Sequence, residues 1–280
     1  MNILKQVLLF YLILTSFTVM GDEMVSITDL PIGEIFTPIV ADAKEPQFSV
    51  GVRHVHTNGP IKNFNAAIVS YGENFGLRRW KITKHKLWQI SLGGAVHAQF
   101  NLDSSSNDLI NADYTIGLSG SYRNGPLSWR FRVLHQSTHL GDEFLLNQNQ
   151  VERVNFSLEA IDLVASYEWS EWRVLGGGIY ILHVEPSEVN NVGFQFGTEY
   201  HSVDKVFLNG RLVSGIDFQF LDAESDETNI NIKAGLEYGK RGSGNRRIRV
   251  MLTGYHGTVP FGQFFDVKTT AVGFSVYLGY

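Results

Sequence analysis

The chain has 280 residues and a formal net charge of −5, with 44% hydrophobic, 12% aromatic and only 18% charged residues. This composition is too apolar for a disordered chain and too poor in charge for a coiled coil. The acidic balance argues against nucleic acid as a partner. No cysteine is present, which excludes disulfides, thiolate catalysis and cysteine-bound zinc. The aromatic content, together with 28 glycines, favours β structure.

The N-terminus has the features of a secretory signal peptide. Lys5 precedes an apolar run from Val7 to Met20, which ends at the small residue Gly21. The run is shorter than the roughly 20 apolar residues that a membrane-spanning helix needs. We therefore expect residues 1–21 to be removed on export. Residues 22–46 would then form a periplasmic N-terminal segment that tucks beneath or into the following domain.

The rest of the chain alternates between apolar and polar or small residues with a period of two. The longest example covers fifteen residues, with these apolar or small positions on one face: Trp88, Ile90, Leu92, Gly94, Val96, Ala98, Phe100 and Leu102. Soluble strands average five or six residues, so this stretch is long for a water-soluble sheet. Lipid on one side of the strand and a polar lumen on the other explain both the alternation and the length. A secreted soluble β-sandwich is the alternative, because it produces the same alternation.

The C-terminal segment favours the membrane. Val272, Phe274, Val276 and Leu278 alternate with small or polar residues and lead to a terminal aromatic, Tyr280. This resembles the C-terminal signal strand of bacterial outer-membrane barrels, and the resemblance implies the barrel-assembly machinery as a partner. Together with the signal peptide, it predicts that the protein resides in the bacterial outer membrane.

We therefore predict an all-β fold, a transmembrane antiparallel β-barrel of about twelve strands formed by residues 47–280. The expected strands are 47–55, 64–73, 87–102, 110–122, 126–137, 153–169, 172–184, 192–201, 207–221, 228–239, 246–257 and 267–280. With the N-terminus in the periplasm, short turns fall on the periplasmic side and longer loops outside, as is usual for such barrels.

The fifth predicted strand carries candidate catalytic residues. By parity Phe131 and Val133 face lipid, so His135 and Ser137 continue the same outward row near the extracellular end. A histidine two residues from a serine on one strand face can accept the proton of the serine hydroxyl. If the loop after this strand closes symmetrically, Asn155 lies opposite His135 and can fix its tautomer.

These residues are similar to the catalytic arrangement of outer-membrane phospholipase A, a twelve-stranded barrel with a lipid-facing Ser-His-Asn triad. The sequence departs from that pattern through a longer loop before the asparagine and through a second histidine, His139. The calcium-binding pattern of the phospholipase is not recognisable. The lipid A 3-O-deacylases similarly combine His-x-Ser with a glutamate, which makes Glu159 the alternative to Asn155. Both resemblances imply hydrolysis of a phospholipid or lipid A acyl ester.

A longer resemblance covers nearly the whole mature chain. It rests on the segments FTPIVADAKEPQFS, LINADY, HQSTHLGDEF and GTVPFGQFF, which are similar to an uncharacterised family of Gram-negative outer-membrane proteins, a domain of unknown function. That resemblance implies the barrel fold and no particular activity.

Further expectations concern two loop acids, the partners of the barrel and the charged residues of its lumen. Asp142 and Glu143 form a solvated acid pair, with calcium bridging to lipopolysaccharide phosphates as an alternative. Outer-membrane phospholipid and lipopolysaccharide are the expected partners, and a channel or a purely structural barrel is the alternative function. Charged residues of both signs are predicted to face the lumen and to knit it shut rather than to form a selective ring: Asp113, Arg130, Arg132, Asp217, Lys233, Glu237, Arg247 and Arg249.

Overall fold

The structure is a computed structural model that describes residues 26–147, 155–186, 191–221, 228–240 and 245–279. The predicted signal peptide and the terminal Tyr280 lie outside the described residues. The strands are β1 (Ser26–Asp29), β2 (Phe48–Thr57), β3 (Asn63–Lys81), β4 (Lys86–Asn101), β5 (Leu109–Asn124), β6 (Leu127–Leu140), β7 (Ser157–Trp169), β8 (Trp172–Glu185), β9 (Val192–Phe207), β10 (Gly210–Leu221), β11 (Asn229–Gly239), β12 (Arg247–Thr258) and β13 (Lys268–Gly279). A helix, α1 (Asp142–Asn147), follows β6, and a 3-10 turn (Gly262–Phe264) precedes β13.

Strands β2 to β13 form a closed antiparallel barrel of twelve strands. Each strand pairs with the next along the chain, and β13 pairs with β2 to close the ring. The prediction of about twelve strands is therefore confirmed. Closure leaves every strand of the ring with two partners, so no open sheet edge has to be hydrogen-bonded by lipid.

Burial alternates along the strands as a barrel with two different faces requires. On β12, Leu252 is 67% exposed while its neighbour Met251 is 1% exposed. Val52 on β2, Phe131 on β6 and Val272 on β13 are also exposed apolar residues of the outer face. Apolar side chains cover the outside of every strand of the ring, which a water-soluble protein would not tolerate. The outer face is therefore built for hydrocarbon.

The two ends of the barrel differ in their connections. At one end the strands are joined by short turns, such as residues 125–126 and 170–171. At the other end, α1 and the 3-10 turn lie in longer loops. We call these the short-turn end and the long-loop end, which correspond to the periplasmic and extracellular sides of outer-membrane barrels. Within the described residues, no helix has the length and apolarity to cross a bilayer.

The lumen is filled by the segment that precedes β2. β1 pairs with the short-turn end of β3, and residues 34–46, which we call the plug, then run inside the barrel. Glu45 forms a bidentate ion pair with Arg130 at 2.5 and 3.1 Å, and both side chains are almost wholly buried. Phe36 lies between the guanidinium groups of Arg130 and Arg173, each 4.8 Å from the ring centroid.

The plug is held from several strands at once. The Val40 amide donates to Glu199 at 2.7 Å, and the Lys233 ammonium donates to the Asp42 carbonyl at 3.0 Å. Lys44 forms an ion pair with Asp113 of β5. The predicted luminal charges thus face inward, and Asp113, Arg130 and Lys233 among them bind a segment of the same chain. Others pair within the wall, as Arg132 does with Asp162 and Arg247 with Glu237.

The long-loop end is closed from above by the loop between β12 and β13. Phe261 of this loop is buried, and Lys44 of the plug lies 4.4 Å from its ring centroid. The Gly262 amide donates to Asp113, which also accepts from the Thr138 hydroxyl at 2.8 Å. Asp113 therefore joins the plug, the barrel wall and this loop.

Candidate active site on the outer face

His135 and Ser137 lie on the outer face of β6, near the long-loop end. They continue the outward row of Phe131 and Val133, while Arg130 on the same strand points into the lumen. The structure thus has the strand alternation that the sequence predicted for these residues.

His135 has a carboxylate partner on the neighbouring strand. Its Nδ1 atom lies 2.8 Å from Glu159 Oε1, and the two residues are direct partners in the β6–β7 ladder. A carboxylate only accepts, so the contact places the proton of a neutral imidazole on Nδ1 and leaves the Nε2 lone pair free. This is the tautomer that a general base needs. The side chains are 46% and 42% exposed, so the pair lies at the surface.

Asn155 does not lie opposite His135, and the predicted register is wrong at this point. His135 pairs with Glu159 and Ser137 with Ser157, a shift of four residues from the pairing that a symmetric loop would give. β6 extends to Leu140 and α1 follows, so the connection does not close symmetrically. The Asn155 amide donates instead to Glu185 on β8, at 3.1 Å.

Ser137 stands beside the histidine without a bond to it. In the described part of the chain, the Ser137 hydroxyl makes no hydrogen bond to His135 or to any other residue. Its ladder partners are Tyr114 on β5 and Ser157 on β7. Residues two apart on one strand face are separated by about 7 Å along the strand. Catalytic hydrogen bonds are often long before substrate binds, so the spacing is compatible with proton transfer.

The backbone next to Ser137 offers fewer donors than its sequence suggests. From the sequence, backbone N–H groups of residues 138–141, including Gly141, are expected to donate to the oxyanion of an ester intermediate. The Thr138 amide donates instead to the Phe156 carbonyl and the Gly141 amide to the Ile110 carbonyl. These two amides complete the sheet at its rim. That expectation is therefore wrong for Thr138 and Gly141.

Further polar residues surround the pair on the outer face, and two of them, His183 and Glu185, were not among the residues predicted from the sequence. His183 on β8 is the ladder partner of Glu159 and lies 3.8 Å from Glu185. His139 packs edge-on against Tyr114, with 5.6 Å between ring centroids. We call this set the β6–β8 patch: His135, Ser137, His139, Asn155, Ser157, Glu159, His183 and Glu185. The His-Val-Glu spacing on β8 was the available signal.

The two acids considered for calcium lie elsewhere. Asp142 and Glu143 form the exposed first turn of α1, where negative charge favours a helix N-terminus. Among the described residues, no group of three or more histidines and carboxylates has the arrangement of a metal site.

A second group of histidines faces outward on the other side of the barrel. His54 and His56 on β2 bond through Nδ1 to the side chains of Asn65 and Asn63, and His256 on β12 bonds to Thr270. We call these six residues the β2–β12 patch. Asn65 also donates to the loop residue Asp103, and these hydrogen bonds hold the pKa of the Asp103 carboxyl below its ordinary value.

A closed, antiparallel, twelve-stranded ring with an apolar outer face and a polar interior defines a bacterial outer-membrane β-barrel. The chain belongs to the family described as "Protein of unknown function (DUF1207)", whose model matches residues 13–280. The resemblance to an uncharacterised outer-membrane family is thus confirmed. No curated protein matches the sequence significantly.

Solved structures of outer-membrane phospholipase A share the fold. The Salmonella typhi enzyme, crystallised as a dimer with bound calcium, is 12% identical with a TM-score of 0.54 and covers 88% of this chain and 93% of its own. The Escherichia coli enzyme is 14% identical with a TM-score of 0.55 and covers 88% and 94%. The KdgM porin is 11% identical, with a TM-score of 0.40, and the match covers 81% of this chain and 97% of the porin. At these identities the likeness establishes the fold alone.

Proposed function

We propose that this barrel hydrolyses acyl esters of outer-leaflet lipids, phospholipid or lipid A, at the β6–β8 patch. The observation that carries the proposal is the 2.8 Å contact between His135 Nδ1 and Glu159, with Ser137 next on the same lipid-facing row. Ser137 is the nucleophile, His135 the general base and then the general acid, and Glu159 the residue that orients His135. Asn155, the other candidate third member, is the less favoured one because it bonds to Glu185.

The chemistry follows from the proton positions. His135 Nε2 takes the proton of the Ser137 hydroxyl while the serine oxygen forms a bond to the ester carbonyl carbon. The tetrahedral intermediate collapses, the bond to the lipid alkoxide breaks, and His135 returns the proton to that oxygen. Water then attacks the acyl-serine by the same route and releases the fatty acid. Glu159 stabilises the imidazolium that forms twice in the cycle.

One donor for the oxyanion is available on the neighbouring strand. Ser157 is the ladder partner of Ser137, so its hydroxyl faces the same side, and it makes no hydrogen bond within the described residues. We assign it the role of donor to the negative oxygen of the intermediate. Its loss should slow the reaction without abolishing it.

The position of the patch supports a lipid substrate. Phe131 and Val133 lie directly below it on the same face, so an acyl chain can stay in the hydrocarbon while its ester reaches the rim. No deep pocket is then required, because the substrate is delivered by the bilayer. The filled lumen does not favour the alternative of an open channel, since the plug is held in place by charged residues of the barrel wall.

The test is a fatty-acid release assay. The purified barrel is reconstituted with phospholipid or with lipid A, with and without calcium, and compared with Ser137→Ala and His135→Ala. We expect release by the parent protein and its loss in both variants. A serine-directed fluorophosphonate should label the parent protein at Ser137.

Two matched variants control for surface effects. Ser214→Ala removes an outward serine on β10, and His56→Ala removes a histidine of the β2–β12 patch; both should retain activity. Heat-modifiable migration on gels verifies that each variant is folded. Absence of ester turnover by the parent protein under all these conditions would rule out the hydrolase, and equal loss in the control variants would rule out this site.

A further inference from the structure

The lumen is not filled completely above the plug. A cavity of about 240 Å³ remains between the plug, the inner wall of β6, β7 and β8, and the loop before β13. Small-molecule pockets usually measure roughly 300–1,000 Å³, so this cavity suits a small ligand and excludes a whole diacyl lipid. It lies behind the outer patch, because Leu134 and Gln136 line it while His135 and Ser137 face out.

One side of the cavity carries an ion pair in which only part of the guanidinium group is hydrogen-bonded. Arg132 Nε donates to Asp162 Oδ2 at 2.7 Å. The terminal nitrogens of Arg132 make no hydrogen bond to the described part of the chain, and its side chain remains partly accessible. A guanidinium edge of this kind binds a carboxylate through two parallel hydrogen bonds.

One oxygen of the partner carboxylate has no hydrogen-bond donor. Asp162 is 95% buried, since only 5% of it is exposed, and its Oδ1 atom has no hydrogen-bond partner in the structure. A buried, charged oxygen without a donor is costly, so a bound molecule that brings a donor would be favoured here. Arg132 and Asp162 are ladder partners. A ligand would therefore have to carry this donor close to the group that binds Arg132.

Apolar residues line the cavity next to this ion pair. This apolar wall is formed by Leu134, Phe156, Leu158, Ile181 and Phe265. All five residues belong to, or pack around, one buried hydrophobic cluster that contains Phe156 and Ile181. This wall can cover a short hydrocarbon group, while Asp42 and Lys44 of the plug also line the cavity.

We propose that this cavity binds a short-chain carboxylate that also carries a hydroxyl or ammonium donor next to the acid group. The carboxylate takes the free edge of Arg132, the donor takes Asp162 Oδ1, and the hydrocarbon lies against the apolar wall. The site is separate from the proposed ester hydrolysis and does not depend on it. Residues 258–262, from the loop that covers the long-loop end, form part of the lining.

The experiment measures binding to the purified barrel in detergent, with empty micelles as the blank for partitioning. The probes are 3-hydroxyhexanoate, hexanoate and hexanol, followed by ligand-observed NMR. We expect 3-hydroxyhexanoate to bind best, hexanoate more weakly and hexanol least. Arg132→Gln should weaken binding of both acids by about tenfold or more, the loss of a charge-assisted hydrogen bond.

Further variants separate the site from damage to the fold. Asp162→Ala, which leaves no hydrogen-bond acceptor at this position, should remove the preference for the hydroxylated acid over hexanoate. The double variant Arg132→Gln/Asp162→Asn leaves no unpaired buried charge, so a folded barrel is expected even if Arg132→Gln misfolds. Arg78→Gln, which removes an exposed arginine near β1, should bind as the parent protein does. Equal binding of all three probes, or undiminished binding by the double variant, would overturn the proposal.

Discussion

The two outward histidine patches use the same residue on the same kind of surface but give it different partners. In the β6–β8 patch, His135 and His183 have glutamates beside them. In the β2–β12 patch, the histidines bond to asparagine and threonine side chains, and the carboxylate of Asp103 is reached only through Asn65. A carboxylate stabilises an imidazolium more strongly than an amide does, so the first patch is better equipped for proton transfer. The partner, rather than the histidine, distinguishes the two.

The largest effect should come from making the first patch resemble the second. Glu159→Gln replaces the carboxylate by an amide of the same shape and leaves the strand pairing intact. We expect the rate of ester release to fall by a factor on the order of 10²–10⁴, as when a triad acid becomes an amide. Single-turnover kinetics with a fluorogenic ester measures this directly.

Asn155→Ala is the matched comparison for that experiment. Asn155 contacts Glu185 and not His135, so its removal should cost much less than Glu159→Gln. A larger loss from Asn155→Ala would restore the asparagine as the third member of the triad and contradict the role of Glu159.

A second prediction tests whether the patch lies at the membrane rim. Phe131 and His139 share the outer face of β6 but differ in depth. Phe131→Arg places a charge in hydrocarbon and should reduce the free energy of unfolding by about 2–4 kcal/mol. His139→Arg should cost only about 0–1 kcal/mol, because charge is tolerated near the interface.

Urea unfolding of the barrel in lipid vesicles gives both values. If His139→Arg lowered the free energy of unfolding as much as Phe131→Arg is expected to, the β6–β8 patch would be immersed in hydrocarbon. An ester at the level of the lipid headgroups would then be out of its reach.

The smallest effect concerns the second patch. Asn65→Ala removes the side-chain donor that lowers the pKa of Asp103, so that pKa should rise towards its ordinary value while the backbone donor remains. A depressed pKa in the folded state stabilises the fold above the unfolded-state pKa, and this contribution is lost as the pH falls through the folded-state pKa. In Asn65→Ala, the stabilising contribution of Asp103 should therefore be smaller and should be lost at a higher pH than in the parent protein.

NMR titration of the Asp103 carboxyl carbon between pH 2 and 6, in micelles, follows this shift. His256→Ala, which leaves the Asn65–Asp103 contact untouched, provides the control. An unchanged Asp103 titration in Asn65→Ala would mean that the amide does not couple the loop to the patch.

Much of the fold was predictable because strand alternation is a local signal. Parity alone placed Phe131 outside and Arg130 inside, and closure followed from the membrane location, because lipid cannot pair an open sheet edge. The pairing of β6 with β7 was not predictable, because the register across a long connection depends on how the loop folds. The assumption of symmetry there pointed to Asn155, whereas the structure brings Glu159 to His135.

The contacts of the plug, and the cavity beside it, could not be predicted from the sequence for a different reason. The contacts of Glu45 with Arg130 and of Asp42 with Lys233 join residues 85 and 191 positions apart. Nothing in the local pattern around residues 34–46 specifies such partners. The unpaired oxygen of Asp162 is likewise visible only once the wall and the plug are in place.

The plug also constrains the order of assembly. The ring is completed by the pairing of β2 with β13, the first and last of its strands, and the plug directly precedes β2. Residues made early in synthesis are therefore enclosed by a seam that cannot form until the final strand exists. Their hydrogen-bonded partners in the wall reach from β5 to β11, so we expect the segment to be seated before or during closure. Long-range contacts of this kind slow folding, and we expect the plug to slow the assembly of this barrel.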